Sequence, residues 1–398
     1  MTGPQNARAN DSGALSPVVP SNRWPLLRWF ISSGTLGVPQ AAGPIAFALV
    51  ALSLTGDTSG GAAMMLAMTL AQVVGAIPIA RLGKNLPLAT FLKLLVAIRT
   101  VALGSIALFI AFEASFTWLV VLAAVAGSLN GAASGYLRSI LNHLAPASKL
   151  PRALGIAATL NELTFVLAPV AASGLGTVSP VFAVLALAAV GAVPALLVPH
   201  TGSAHIDGVQ HHAGGSIFSR SILLWLLCAA SGSATVATIE IGAVALALNF
   251  GYDPALAIIF TVPLCVASVA GGIWVSVRNR MATRRAVPAQ LFIMTLGAGL
   301  AALDLSVIAS VLGAVLIGSV LASLSTYYSL ILDTLTPAQR RPEVFALLRT
   351  ANAVGVIFAS AILTVASLSM AQIVITGLMT IVTLAVGIAS ARRDNGSL

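Results

Sequence analysis

Two acids, Glu162 and Glu240, sit in the middle of long apolar runs and are the first candidates for chemistry. A charge in hydrocarbon costs several kcal/mol, so a carboxyl group retained there marks a functional position by default. Glu162 lies ten residues beyond Arg152, or ~15 Å along a helix, which is near the middle of a bilayer. It has two readings. It can carry a proton through a transport cycle, or it can tie its helix to a neighbour as a hydrogen-bonded acid. Glu240, 19 residues beyond Ser221, leaves the same pair open. Arg99, about 11 residues into its own run, needs Glu162 or a backbone carbonyl as a structural partner. Lys93 can snorkel to the nearer surface, and Arg349, near the start of its run, reads as interfacial. Gln40, Asn130, Tyr136, Asn161, Tyr327 and Asn352 are neutral polar groups in apolar surroundings. They suit either a substrate cavity or helix-to-helix hydrogen bonding.

Other chemistry finds no support. No Walker, GxSxG or HExxH pattern occurs, so the chain reads as a non-enzyme that does not itself use ATP. Cys228 and Cys265 are the two cysteines, both in apolar runs, and no disulfide framework or Cys/His metal spacing is present. His200, His205, His211 and His212 lie in a Gly/Ser-rich stretch without a scaffold for tetrahedral ligation, which reads as a solvated linker. No cofactor or metal is implied.

The elements that must position these groups follow from composition. Of 398 residues, 58% are hydrophobic and 8% charged, and mean hydropathy is +1.00. A soluble fold of this size has too few polar groups here to cover its surface. The chain therefore reads as an all-α integral membrane protein. Apolar runs fall at approximately 28–55, 60–80, 88–112, 115–137, 153–175, 179–198, 221–249, 254–277, 288–306, 308–332, 345–367 and 371–391, giving twelve spans at ~20 residues each. The expected organisation is a tail over 1–27, a six-helix bundle over 28–198, a linker over 199–220, a second bundle over 221–391 and a short tail over 392–398. The first 27 residues lack the apolar core of a secretory signal.

Of the 20 Lys and Arg residues, Lys93 and Arg99 lie further into the third run, the others fall in the tails or in and around even-numbered connections, and none falls in an odd-numbered one. The positive-inside rule then puts both termini in the cytoplasm. The net charge of +9 and pI near 10.6 thus report membrane topology, and no nucleic-acid partner is implied. A shift of 191 residues superposes Gly127-Ser128 on Gly318-Ser319, Tyr136 on Tyr327, Pro146 on Pro337, Pro151 on Pro342 and Asn161 on Asn352. That constant offset predicts two six-helix bundles in parallel repeat.

Twelve helices in two repeats resemble the major facilitator superfamily. The connection after the second span supports the resemblance: Arg81, Gly83 and Lys84 match the family pattern, while its first Gly and its Asp are replaced by Ala76 and Ala80. The resemblance implies two pseudo-symmetric bundles, a gating loop at Arg81, Gly83 and Lys84, and a central cavity between the bundles. The segment from Arg138 to Pro169, with Asn161-Glu162-Leu163, resembles bacterial drug/proton antiporter-like exporters. The implied function is alternating-access transport: proton-coupled export of a small apolar or amphipathic molecule by a monomer in the bacterial cytoplasmic (inner) membrane. The alternatives are a proton-coupled importer of a small nutrient or siderophore, and a sensor or scaffold that moves nothing. The expected partners are substrate, protons and lipid.

Overall fold

A computed structural model of the chain describes residues 24–55, 59–112, 115–176, 178–199, 219–252, 254–283 and 286–394. The anticipated tail and linker, with its four histidines, lie almost wholly outside these residues. The described residues form α-helices and short 3-10 turns with no strand. Helices are what apolar chains of this kind must adopt, because lipid offers no partner for a bare backbone N–H or C=O.

The first half comprises α1 (Trp24–Leu36), α2 (Val38–Thr55), α3 (Ser59–Leu82), α4 (Leu88–Ala111), α5 (Phe116–Ser128), α6 (Asn130–Leu144), α7 (Leu150–Gly176) and α8 (Pro180–Leu197). The second comprises α9 (Arg220–Asn249), α10 (Ile258–Arg278), α11 (Ala286–Ala302), α12 (Val307–Leu335), α13 (Arg341–Val365) and α14 (Leu368–Asp394). Eleven stretches are long and apolar enough to cross a membrane, and the 17-residue α11 is the shorter twelfth. The first and fourth spans are each broken in two. Pro39 has no N–H to continue the helix and interrupts the first span beside Gly37. The fourth breaks at Leu129, between Gly127 and Gly131.

Packing repeats from half to half. Helix α3 lies on α5 as α10 lies on α12, α2 on α7 as α9 on α13, and α4 on α8 as α11 on α14. The repeat-related Gly127 and Gly318 sit at two of these crossings. A Cβ on Gly127 would stand 1.9 Å from the Met68 carbonyl oxygen, and one on Gly318 2.4 Å from that of Leu264. Both crossings therefore need a residue without a side chain, the usual means of close helix approach in lipid. Large apolar side chains such as Val74, Val101, Leu196 and Val277 point outward, far more apolar surface than water tolerates on a monomer.

With an even number of spans among the described residues, the start of α1 and the end of α14 lie on one face. The turns carrying Arg81, Lys84, Lys149, Arg278 and Arg340 lie there, so it is termed the basic face. The helices reach further toward it than apolar content suggests. The fourth span runs to Leu144 rather than 137 and the tenth to Leu335 rather than 332, because the halves pack on one another there and polar side chains find partners across the seam.

Candidate functional site

At the basic face the halves lock together. Glu343, in the first turn of α13, is 2% exposed. Its Oε2 accepts from Arg81 Nε at 3.1 Å and its Oε1 lies 3.7 Å from Lys84 Nζ. A Cβ on Gly83, between those two cations, would stand 2.3 Å from both the Tyr136 hydroxyl and the Phe91 ring, so the loop takes this path only with glycine there. The Tyr136 hydroxyl in turn donates to the Ala80 carbonyl at 2.9 Å. Deeper along the seam, a Cβ on Gly135 would stand 2.3 Å from the Pro342 carbonyl oxygen.

Beside this lock, α6 meets its repeat partner α12. Arg138 Nε donates to Ser329 Oγ at 2.6 Å and Asn142 Nδ2 donates to Asp333 Oδ1 at 2.6 Å. Both pairs are separated by 191 residues, the repeat offset itself. Residues related by a two-fold axis touch one another only on that axis, so the pseudo-symmetry axis emerges here. Arg341 holds Asp333 at 3.1 Å, and the Arg138 guanidinium lies over the Phe345 ring at 4.6 Å. On the far side of the seam, Asn279 at the end of α10 donates to the Ser148 carbonyl at 2.8 Å and accepts the Arg152 backbone N–H at 3.0 Å. Its φ of 46° is left-handed, a conformation asparagine tolerates better than most residues.

Above the lock a cavity of about 180 Å³ opens between the halves. Trp29, Leu36, Leu137, Leu154 and Ala157 supply its apolar wall, and Asn130, Ser134, Arg138, Asn161 and Arg349 its polar one. A polar network runs behind that wall. Arg99, 1% exposed, donates to the carbonyls of Leu36 at 3.0 Å and Gly191 at 2.8 Å and to Asn130 Oδ1 at 3.2 Å. The Asn130 amide donates to Gln72 Oε1 at 2.7 Å and to Gln40 Oε1. Gln40 Oε1 also accepts from Arg349 Nη2 at 3.1 Å. Gln40 belongs to the first half and Arg349 to the second, so this amide joins them.

Further from the basic face stand the two acids. Glu162 of α7 faces Ser268 and Cys265 of α10, and Glu240 of α9 lies within electrostatic range of it. Glu162 is half-buried and Glu240 exposed. Among the described residues neither acid has a Lys or Arg in ion-pair contact.

The structure thus puts Glu162 and Glu240, from opposite halves, within electrostatic range of each other. It sets Asn130 and Asn161 on the wall of one cavity, with Gln40 behind that wall on Asn130 and Arg349. Arg99 pairs with backbone carbonyls, one of its two expected partners, and with Asn130, because its helix turns it toward α1 and α8. Other placements differ from the sequence-based expectation. Tyr136 leaves the cavity to pack behind the Gly83 turn. Tyr327 is buried in the second half with its ring 5.2 Å from that of Trp225. Asn352, half-buried in α13, is not among the cavity-lining residues. Arg349 is not interfacial, since it lies eight residues on from Arg341, which carries it ~12 Å inward. Glu343, which joins the halves, is not among the residues the sequence marks. The signal for it was indirect: two matched basic residues whose usual acid is replaced by Ala80 require a carboxylate elsewhere.

The sequence profile of the Major Facilitator Superfamily matches residues 29–360. A search of curated protein sequences gives no match. Among solved structures, a bacterial homologue of the iron transporter ferroportin in an outward-facing state is similar, with a TM-score of 0.77 at 15% identity, covering 93% of this chain and 99% of that one. The human organic anion transporter MFSD10 (TETRAN) aligns with a TM-score of 0.71 at 14% identity over 92% of this chain and 99% of its own. The fucose:proton symporter FucP of E. coli aligns at 0.67 and 12% identity over 92% and 99%.

Proposed function

Because the chain belongs to the major facilitator superfamily, whose members are membrane transporters rather than enzymes, we propose that it is a proton-coupled exporter of small amphipathic molecules working by alternating access. The observation that carries this reading is that Glu162 and Glu240, one from each half, lie within electrostatic range of each other above a seam closed at the basic face. Two carboxylates within electrostatic range and without an ion-pair partner among the described residues repel unless a proton or cation sits with them, and rocking of the halves changes their separation. Loading and release of a proton are thereby tied to the access switch. The sorted basic residues support a cytoplasmic basic face, so the closed lock corresponds to a state open to the outside of a bacterial inner membrane, with the monomer as the working unit. The structural neighbours are described as iron-related, organic-anion and fucose:proton transporters, a range consistent with one fold carrying many cargoes.

In proteoliposomes under an imposed pH gradient, a screen of small amphipathic compounds should find compound-dependent proton flux in the wild type. That flux should fall at least tenfold in Glu162→Gln or Glu240→Gln. Unchanged flux in both variants overturns the assignment, and flux in the same direction as the compound reverses the proposed export.

A further inference from the structure

We propose that Arg349, with Arg138, receives the anionic end of the cargo, so that the molecule carried is a small organic anion, a carboxylate on an apolar body. This deepens the transport reading and rests on it. The case begins with the cavity's charge. Arg349 and Arg138 both line it, and each keeps a buried N–H without an acceptor, Nε on Arg349 and Nη2 on Arg138. The nearby carboxylates are taken: Asp333 by Arg341 and Asn142, Glu343 by Arg81 and Lys84. Among the described residues no carboxylate pairs with Arg349, whose bonded acceptor is the neutral Gln40 amide. Arg99, directly behind, adds a further guanidinium held by neutral acceptors.

A buried guanidinium without a counter-charge is costly, and an orphaned donor adds to that cost. A carboxylate relieves both at once, since its two oxygens match the planar N–H fork of arginine. Apart from its polar wall the cavity is apolar, with Trp29, Leu36, Leu137 and Leu154 lining it. About 180 Å³ is room for a single ring with a short substituent, given that an apolar cavity of ~150 Å³ holds benzene. A carboxylate on Arg349 competes with Gln40 for it, and so loosens a contact between the halves when cargo is aboard.

Benzoate, benzamide and benzylamine share a ring and differ in charge, which makes them the test. Thermal unfolding of the purified protein, followed in a neutral detergent free of anionic lipid, should rise with benzoate and be unmoved by benzamide and benzylamine. Benzoate affinity should drop at least tenfold in Arg349→Gln, in part be kept in Arg349→Lys, and drop less in Arg138→Gln. Equal stabilisation by benzamide, no stabilisation by benzoate, or an Arg349→Gln protein that keeps the benzoate preference overturns the site. Should Arg349→Gln fail to fold, the wild-type comparison of benzoate with benzamide decides by itself. The two readings separate cleanly. Proton flux without a carboxylate preference removes the anion site and leaves transport intact, whereas benzoate binding without any coupled flux does the reverse.

Discussion

After α3, the turn bearing Arg81 and Lys84 grips Glu343 at the start of α13. After α10, the topologically equivalent turn bears Asn279, which grips Ser148 and Arg152 at the start of α7. Glu343 and Arg152 are 191 residues apart, so the two grips hold repeat-equivalent positions on opposite halves. They do so with different chemistry. The first is an ionic contact in which one nearly buried carboxylate serves two half-exposed cations. The second is neutral, made of a side-chain amide and backbone groups, and the Arg152 side chain takes no part in it. A symmetric pair of ionic grips would need an acid where Arg152 stands. The duplication supplies the scaffold for two equal arms, and single residues then make one arm sensitive to charge and the other sensitive to backbone geometry.

That contrast can be broken one arm at a time, with the opening of the basic face followed by spin-label distances between Leu82 and Val277, exposed on opposite halves, in a background with Cys228 and Cys265 replaced. Glu343→Gln should have the largest effect. It leaves two cations facing a neutral group at a buried position, and the closed state should lose about 1–3 kcal/mol, shifting the open-to-closed ratio by roughly fivefold or more. An unchanged distance distribution would refute the ionic arm. Asn279→Ala removes two hydrogen bonds at ~1 kcal/mol each at most and puts alanine at a positive φ, so a loss of about 1–2 kcal/mol is expected, independent of salt between 0.05 and 0.5 M. A marked salt dependence of this variant relative to wild type would erase the distinction drawn between the arms. Lys84→Ala should do least. Its nitrogen is 3.7 Å from the carboxylate and its side chain is half-exposed, so a shift under ~0.5 kcal/mol is expected, and a shift as large as that of Glu343→Gln would make Lys84 rather than Arg81 the main partner.

How far the molecule could be read in advance depends on the range of the forces involved. Span positions were legible because hydrocarbon solvates a run of Leu, Ile, Val and Ala irrespective of what packs beside it. The repeat was legible because Gly127 and Gly318 meet the same steric demand at equivalent crossings. Glu162 and Glu240 stood out because each is a lone acid in an apolar run. Their approach to one another was not legible, since it depends on how α7 and α9 are rotated about their axes. Arg349 shows the limit most clearly. Near the start of an apolar run it has the pattern of a surface cation, and only the packing of α13 on the first half and its reach past Arg341 carry it to Gln40 and the cavity.

What the sequence determined by itself, then, is everything governed by transfer between water and lipid: an all-helical membrane chain, twelve spans, two related halves and one face rich in basic residues. What the tertiary structure decided is which polar groups meet. Glu343 answers Arg81 across 262 residues, and Gln40 answers Arg349 across 309. A hydrogen bond or ion pair acts over about 3 Å and in one direction, so it is set by the rotation and register of two packed helices, which hydropathy along a chain does not encode.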